Sequence, residues 1–187
     1  MYIYIGKGAV TVKIIPPTWS QVASGTSYTV TRQGGFLFEF APSTTVAREY
    51  DWTKKTTFFL DVTECGDLLH SAADGIDFMH DPNAQGPTAG MRYYIYDLYY
   101  WYIVYYSHII TILLLLYIHI GQVTKKMRWA PTPDNKGLFL SLTISDRANP
   151  AANSNLLIPV SWGEFMVLDS LIRFAIPHFL GKYIICI

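Results

Sequence analysis

One run constrains this chain more than any other. Residues 93–120 read "YYIYDLYYWYIVYYSHIITILLLLYIHI", with a single acidic side chain, Asp97, and no Lys or Arg. Within it, residues 99–120 are 22 uncharged positions, and about 20 apolar residues suffice for a helix to cross a bilayer. The flanking sequence is of another kind, with turns, charges and alternating strands on both sides. A single span would put the two halves of one small β domain on opposite sides of a membrane, where their strands could not pair. A hairpin or interfacial insertion needs partners for its exposed backbone groups. A third reading is an unspliced intron translated in frame. Of the 31 residues from Arg92 to Gln122, nine are Tyr, seven Ile and five Leu, all with A/T-rich codons. The tail "KYIICI", residues 182–187, has the same flavour. The third reading is favoured: an apolar insert at 92–122, foreign to the folded domain, which is otherwise a single unit over 1–181 with a divergent tail at 182–187.

The 187 residues amount to about one domain. Net charge is zero, so no global field draws the chain to a polyanion, and such a partner must be held by a local patch. The two cysteines, Cys65 and Cys186, give neither a disulfide framework nor a zinc spacing and read as reduced thiols. The opening "MYIYIGKG" has no secretory hydrophobic region and no Arg/Ser-rich transit character. For an imported protein, the targeting part lies outside this chain.

Residues 2–15 read as one strand, with Val10, Val12 and Ile14 on one face. It ends at "PPTW", since proline cannot donate to the ladder. "SYTVTR" and "GFLFEF" flank Gln33-Gly34, read as a short hairpin connection with a glycine able to take positive φ. Phe36, Phe38 and Phe40 share a face. A strand from Lys54 to Val62 leads into a helix with Thr63 as N-cap, Glu64 and Asp67 at the positive end of the dipole, and Gly75 as the stop. Beyond the insert, "VTKKMRW", "LFLSLTI" and "NLLIPV" read as strands and "PTPDNKG" as a turn. The last element, "SWGEFMVLDSLIRFAIPHFLG", is a helix opened by a Ser161/Glu164 capping box, with Phe165, Leu168, Leu171, Ile172 and Ala175 as its apolar stripe. Pro177 kinks or ends it. Strands, helix, strands, helix is a loose duplication of an α+β unit.

At "GKGAV", "REYDWTKK", "FMHDPN" and "FAIPHFLG" the sequence resembles the Whirly family of plant single-stranded-DNA-binding proteins. The resemblance covers residues 2–91 and 123–181, everything but the insert and the tail. The family hallmark K-G-K-A-A-L corresponds here to Ile5-Gly6-Lys7-Gly8-Ala9-Val10, with Ile5 in place of the first lysine. Joining "TAGM" directly to "VTKK" restores a continuous family-like sequence, which supports treating the insert as foreign. The resemblance implies an α+β fold of two four-stranded antiparallel sheets packed crosswise with two helices. The clear strands number seven, and the short Phe78–His80 piece is the eighth. It also implies a homotetramer held together by the helices, with higher assemblies, and single-stranded DNA along the sheets. The implied setting is a plastid or mitochondrion, in organelle genome repair and transcription regulation, with a nuclear role for some members.

Single strands are bound by aromatic platforms and scattered cations, so a neutral protein can do it. The residues singled out are Lys7 and Lys13 on the first strand, Tyr2, Tyr4, Trp19 and Trp52 nearby, and Lys54, Lys55, Lys125, Lys126 and Arg128 on strands that can share a face. The plainer reading of such strands is a solvated sheet with a buried aromatic side. Gly6-Lys7-Gly8 is not a phosphate loop, which needs G-x-x-x-x-G-K-[ST] between strand and helix. From the resemblance, Gly6, Lys7, Gly8, Ala9 and Val10 are assigned to DNA binding and assembly. His70, His80, Asp81 and Cys65 fit no zinc motif, and His80-Asp81-Pro82 reads as a turn. No nucleophile elbow or Cys/His dyad is present, so the expectation is a binding protein, not an enzyme, with no cofactor, no metal and no obligate membrane. The alternatives are an RNA-binding protein of the same fold, and a membrane-tethered interaction protein that uses 93–120 as a span.

Overall fold

Ten strands and two α-helices follow from the alternating and helical patterns of the chain, in a computed structural model that describes residues 2–5, 8–22, 25, 27–46, 48–81 and 123–180. The insert at 92–122, the tail at 182–187 with Cys186, the loop from Pro82, and Gly6 and Lys7 lie outside the described residues. The first sheet comprises β1 (Tyr2–Ile5), β2 (Gly8–Ile15), β5 (Gly35–Pro42) and β6 (Thr56–Asp61), in the order β1-β2-β5-β6, with antiparallel neighbours. Residues 2–15 are therefore two strands, not one. The chain reverses between Ile5 and Gly8, so that Tyr2 lies opposite Thr11. Unbroken β propensity on both sides hides this reversal, and the Gly-Lys-Gly triplet is its one local signal.

The expected hairpin across Gln33-Gly34 is also corrected. Strand β4 (Tyr28–Arg32) pairs with β3 (Thr18–Gln21) as a separate two-stranded ribbon, not with β5. The glycines serve close packing instead of positive φ. A Cβ on Gly34 would sit 2.5 Å from the Phe179 ring, and one on Gly35 would sit 2.3 Å from the Leu60 carbonyl oxygen.

The second sheet has the order β10-β9-β8-β7. It is formed by β7 (Ile76–His80), β8 (Val123–Pro131), β9 (Gly137–Asp146) and β10 (Ser154–Ser161). Strand β7 contains the eighth strand expected at Phe78–His80. Between β8 and β9 the Thr132 N–H donates to the Gly137 carbonyl at 3.0 Å, and Asn135 takes φ 54°.

Helix α1 (Val62–Ser71) is capped by Asp61, not Thr63. The strand runs directly into the helix, and Asp61 accepts the Glu64 N–H at 2.7 Å while Glu64 accepts the Asp61 N–H at 3.1 Å. Gly75, at φ 95°, ends the following turn with its N–H on the Ser71 carbonyl at 3.0 Å. Helix α2 (Trp162–Phe179) opens with the expected Ser161/Glu164 capping box and runs two residues past Pro177.

The core joins Phe36, Phe38, Phe40, Phe58 and Leu60 of the first sheet to Met127, Trp129, Leu138, Leu140 and Leu142 of the second. Leu68 of α1 and Phe165, Leu168, Ile172, Ala175 and Phe179 of α2 complete it. Phe38 meets Trp129 edge-on at 6.3 Å, and Phe36 meets Phe179 edge-on at 5.7 Å. Each such side chain, fully buried, contributes about 1.5–3 kcal/mol.

The chain divides into two compact units: Met1–Phe78 with Met127–Leu142 and Asn155–Ile187, which holds this core, and Met79–Lys126 with Thr143–Ser154. In the second unit Asp146 organises the β9–β10 connection. Its carboxylate accepts the N–H groups of Ala148 and Asn149, and its own N–H donates to Asn153 Oδ1 at 2.6 Å. No helix among the described residues is long and apolar enough to cross a membrane.

Candidate nucleic-acid interface

Alternation along β5 sends Phe36, Phe38 and Phe40 into the core and puts Leu37, Glu39 and Ala41 on the opposite face. Strand register then sets three rows across that outer face. Lys13 lies opposite Leu37 and Leu37 opposite Phe59; Thr11 lies opposite Glu39 and Glu39 opposite Thr57; Ala9 lies opposite Ala41. The floor is made of small or enclosed side chains, with Ala9 and Ala41 at 0% and Thr11 at 4% exposure.

At the centre sits one carboxylate between two ammonium groups. Lys13 Nζ is 2.7 Å from Glu39 Oε2, and Lys55 Nζ is 2.8 Å from Oε1. The Glu39 side chain is 8% exposed, whereas those of Lys13 and Lys55 are 49% and 42% exposed. Solvent, and any ligand, reaches the cations and not the anion. The hydrogen bonds from Lys13 and then Lys55 hold the Glu39 carboxyl below its ordinary value against the opposing effect of burial. Phe59 shares this face, its ring lying over Gly35, where a Cβ would come within 2.5 Å of Cζ.

The remaining residues singled out from the sequence are distributed unevenly. Gly8, Ala9 and Val10 are buried in β2, so they serve this face by holding the strand against its neighbours. A Cβ on Gly8 would sit 3.3 Å from the Ala41 carbonyl oxygen. Tyr4 lies on β1 opposite Ala9 in register. Trp52 is half-buried in the 3-10 turn Trp52–Lys54 that precedes β6. Asp51 caps that turn by accepting the Thr53 N–H at 3.0 Å and pairs with Lys54 at 3.2 Å. The Thr53 hydroxyl and then Lys54 pull the Asp51 carboxyl below the usual carboxylate range.

Lys125, Lys126 and Arg128 do not line one face. Successive side chains on a strand point to opposite sides, so Lys126 and Arg128 point away from Lys125, which alternates with the buried Met127 and Trp129. Burial lowers the Lys125 ammonium below the ordinary lysine value. Arg128 pairs with Asp77 at 3.6 Å.

Two features were missed from sequence. Glu39 sits inside "FLFEF" and looks like an interruption; only the register with Thr11 and Thr57 shows its place. The ribbon presents Tyr28 at 68% exposure, with Trp19 half-buried and Arg32 exposed. Among the described residues no group of three or more His, Cys, Asp or Glu is placed to hold a metal ion. Cys65 is buried, and desolvation first, then the charges of Asp61 and Glu64, push its thiol up to about 12.

Comparison with known proteins agrees with this architecture. A family model described as Whirly transcription factor matches residues 3–95 and 116–171, breaking off within the apolar run. The chain is 32% identical over 180 residues to the chloroplastic single-stranded DNA-binding protein WHY1 of Solanum tuberosum, covering 96% of this chain and 53% of that protein. It is 28% identical to the mitochondrial single-stranded DNA-binding protein WHY2 of Arabidopsis thaliana, covering 96% and 61%. The chain thus spans little more than half the length of these relatives. The solved structure of the plant transcriptional regulator PBF-2 matches with a TM-score of 0.74 at 30% identity, over 98% of this chain and 82% of that one. The crystal structure of WHY3 from Arabidopsis thaliana gives the same TM-score at 28% identity, over 97% and 88%. By its family match and its fold, this chain belongs to the Whirly family.

Proposed function

We propose that the protein binds single-stranded DNA with little sequence preference, by base stacking and phosphate contact along its sheets. The observation that carries this reading is the outer face of the first sheet, where accessible Lys13 and Lys55 flank a low floor of Ala9, Thr11 and Ala41 beside the Phe59 ring. Aromatic groups hold bases without regard to sequence, at about 1–3 kcal/mol per stacked base, while lysines follow the backbone. The names of the relatives support the same activity. They also support a setting in a plastid or mitochondrion and a part in transcription, and the proposal extends this to maintenance of the organelle genome. The chemistry is that of binding, not of catalysis. Fluorescence anisotropy with a labelled single strand, competed by unlabelled single strand, duplex and RNA of matched sequence, tests it. Single-stranded DNA competes best on this reading. Equal competition by duplex sinks it, and stronger competition by RNA transfers the site to RNA.

The working species is a homotetramer assembled through its helices. Helix α2 turns one stripe into the core and leaves Met166, Val167 and Phe174 exposed on another, with Leu180 just beyond. An apolar stripe of this kind marks an interaction surface. Light scattering on Phe174→Asp, at a position 67% exposed, is expected to show smaller particles than the unaltered chain. On this reading residues 92–122 are an insertion foreign to the domain, supported by the break in the family match between residues 95 and 116. Recovery of peptides from 93–120 from native protein would overturn it.

A further inference from the structure

The Lys13–Glu39–Lys55 cluster carries two positive charges and one negative on the face assigned to the nucleic acid. A phosphodiester arriving from solvent meets two ammonium groups already bonded to a carboxylate. It cannot displace that carboxylate into water, because Glu39 is 8% exposed and lies beneath both lysines. We infer that Glu39 is a built-in counter-ion that withholds one unit of charge from the bound strand, and so sets how tightly and how salt-dependently this face holds single-stranded nucleic acid. This rests on the outer face of the first sheet being the interface.

The arrangement favours stacking over charge. With the carboxylate in place the cluster offers the strand a net charge of one. A single strand bound through charge alone would be held hardest at low salt and would be slow to leave. A lysine pair tied to its own carboxylate weakens that hold and leaves base stacking in control. Glu39 is therefore a positioning and tuning residue and makes no contact with the strand itself.

The test is binding of a labelled thymidine oligonucleotide to the full chain and to Glu39→Gln across a salt series. Removing the carboxylate's charge adds one cation equivalent, so the slope of log affinity against log salt steepens by about 0.7. On the same relation, with the two chains equal at about 1 M salt, the variant binds about eightfold more tightly at about 50 mM and about threefold more tightly at about 200 mM. An unchanged slope, or weaker binding at every salt concentration, overturns the counter-ion role and leaves Glu39 a purely structural link between strands. Circular dichroism checks that the variant folds. If it does not, Lys13→Gln is compared with Lys13→Gln/Glu39→Gln. The doubly altered chain should bind more tightly and with the steeper slope, and equality between the two overturns the role. If the unaltered chain binds no single strand at any salt concentration, it is the interface assignment that fails, a result distinct from normal binding with an indifferent Glu39.

Discussion

Replacing Gly35 by alanine should cost far more than a methyl group ordinarily does, and the geometry says why. Gly35 is paired on both sides, with Ile15 of β2 and Asp61 of β6. A Cβ there would lie 2.3 Å from the Leu60 carbonyl oxygen and 2.5 Å from Phe59 Cζ. Phe59 can swing away, but the carbonyl is sheet backbone. Carbon–oxygen contacts between strands run at about 3.3–3.6 Å, so β6 must retreat by roughly 1 Å. Overpacking of this kind costs about 1–3 kcal/mol, and each ladder hydrogen bond lost adds about 0.5–1.5 kcal/mol. The unfolded chain loses some entropy with the substitution, which returns about 0.4–1 kcal/mol. With one ladder bond lost the net loss is roughly 0.5–4 kcal/mol, or about 0.3–2 M in the urea midpoint for a slope near 2 kcal/mol/M. Gly66, in the exposed side of α1 with nothing within 4 Å of its would-be Cβ, is the internal control. There the same substitution should stabilise by about 0.5–1 kcal/mol through helix propensity. Urea unfolding followed by far-ultraviolet circular dichroism compares the two directly. A Gly35→Ala midpoint at or above that of the unaltered protein would refute the reasoning.

Three further outcomes follow from the charges and the thiol. Glu39 has its folded pKa lowered below the ordinary 4.5, so its pairing stabilises fully above that value and is lost as pH falls through the folded one. The stability difference between the unaltered chain and Glu39→Gln should accordingly change as pH drops from about 4.5, and a difference constant with pH contradicts the pairing. Cys65, buried and pushed up to about 12, should resist alkylation near neutral pH in a Cys186→Ser background and react once urea is added; fast labelling of the folded chain would show the site to be open. Because the face carries a net charge of one at its centre, binding to single strands should have a shallow salt slope, about −0.7 to −1.4 per protomer, and a slope beyond about −3 would move the charge contacts to other residues.

Much of the architecture was legible because it rests on local rules. The capping box of α2 is visible as Ser161 followed by Glu164, and the stripe of Phe165, Leu168, Ile172 and Ala175 appears on the buried side as the 3.6-residue period requires. The errors came where pairing is decided by distant residues. The run 2–15 has the same β character on both sides of its reversal, so propensity alone reads through the turn. At Gly34 and Gly35 a hairpin and a packing requirement produce the same glycine pair. Only the Phe179 ring and the Leu60 carbonyl, far away in sequence, separate them. The α1 cap moved from Thr63 to Asp61 because the strand continues into the helix with no linking residue, and both positions carry capping side chains.

The interface was harder to read for a related reason. A lysine in a sequence carries no sign of whether its charge is free. Lys13, Lys54 and Lys55 looked like equivalent phosphate contacts, yet Lys13 and Lys55 share Glu39 and Lys54 is held by Asp51. The resemblance assigns Gly8, Ala9 and Val10 to DNA binding and assembly, and the structure places all three buried in β2. Lys125 and Lys126 are neighbours in sequence and for that very reason point to opposite sides of their strand. What decides the electrostatics of this face is thus a residue that composition would discard, a glutamate among phenylalanines. It is placed by a register that pairs β5 with β2 on one side and β6 on the other. On the proposed reading, a neutral chain whose patch keeps a net charge of one takes most of its grip on a single strand from ring faces and enclosed floor, the form of binding that tolerates any sequence of bases.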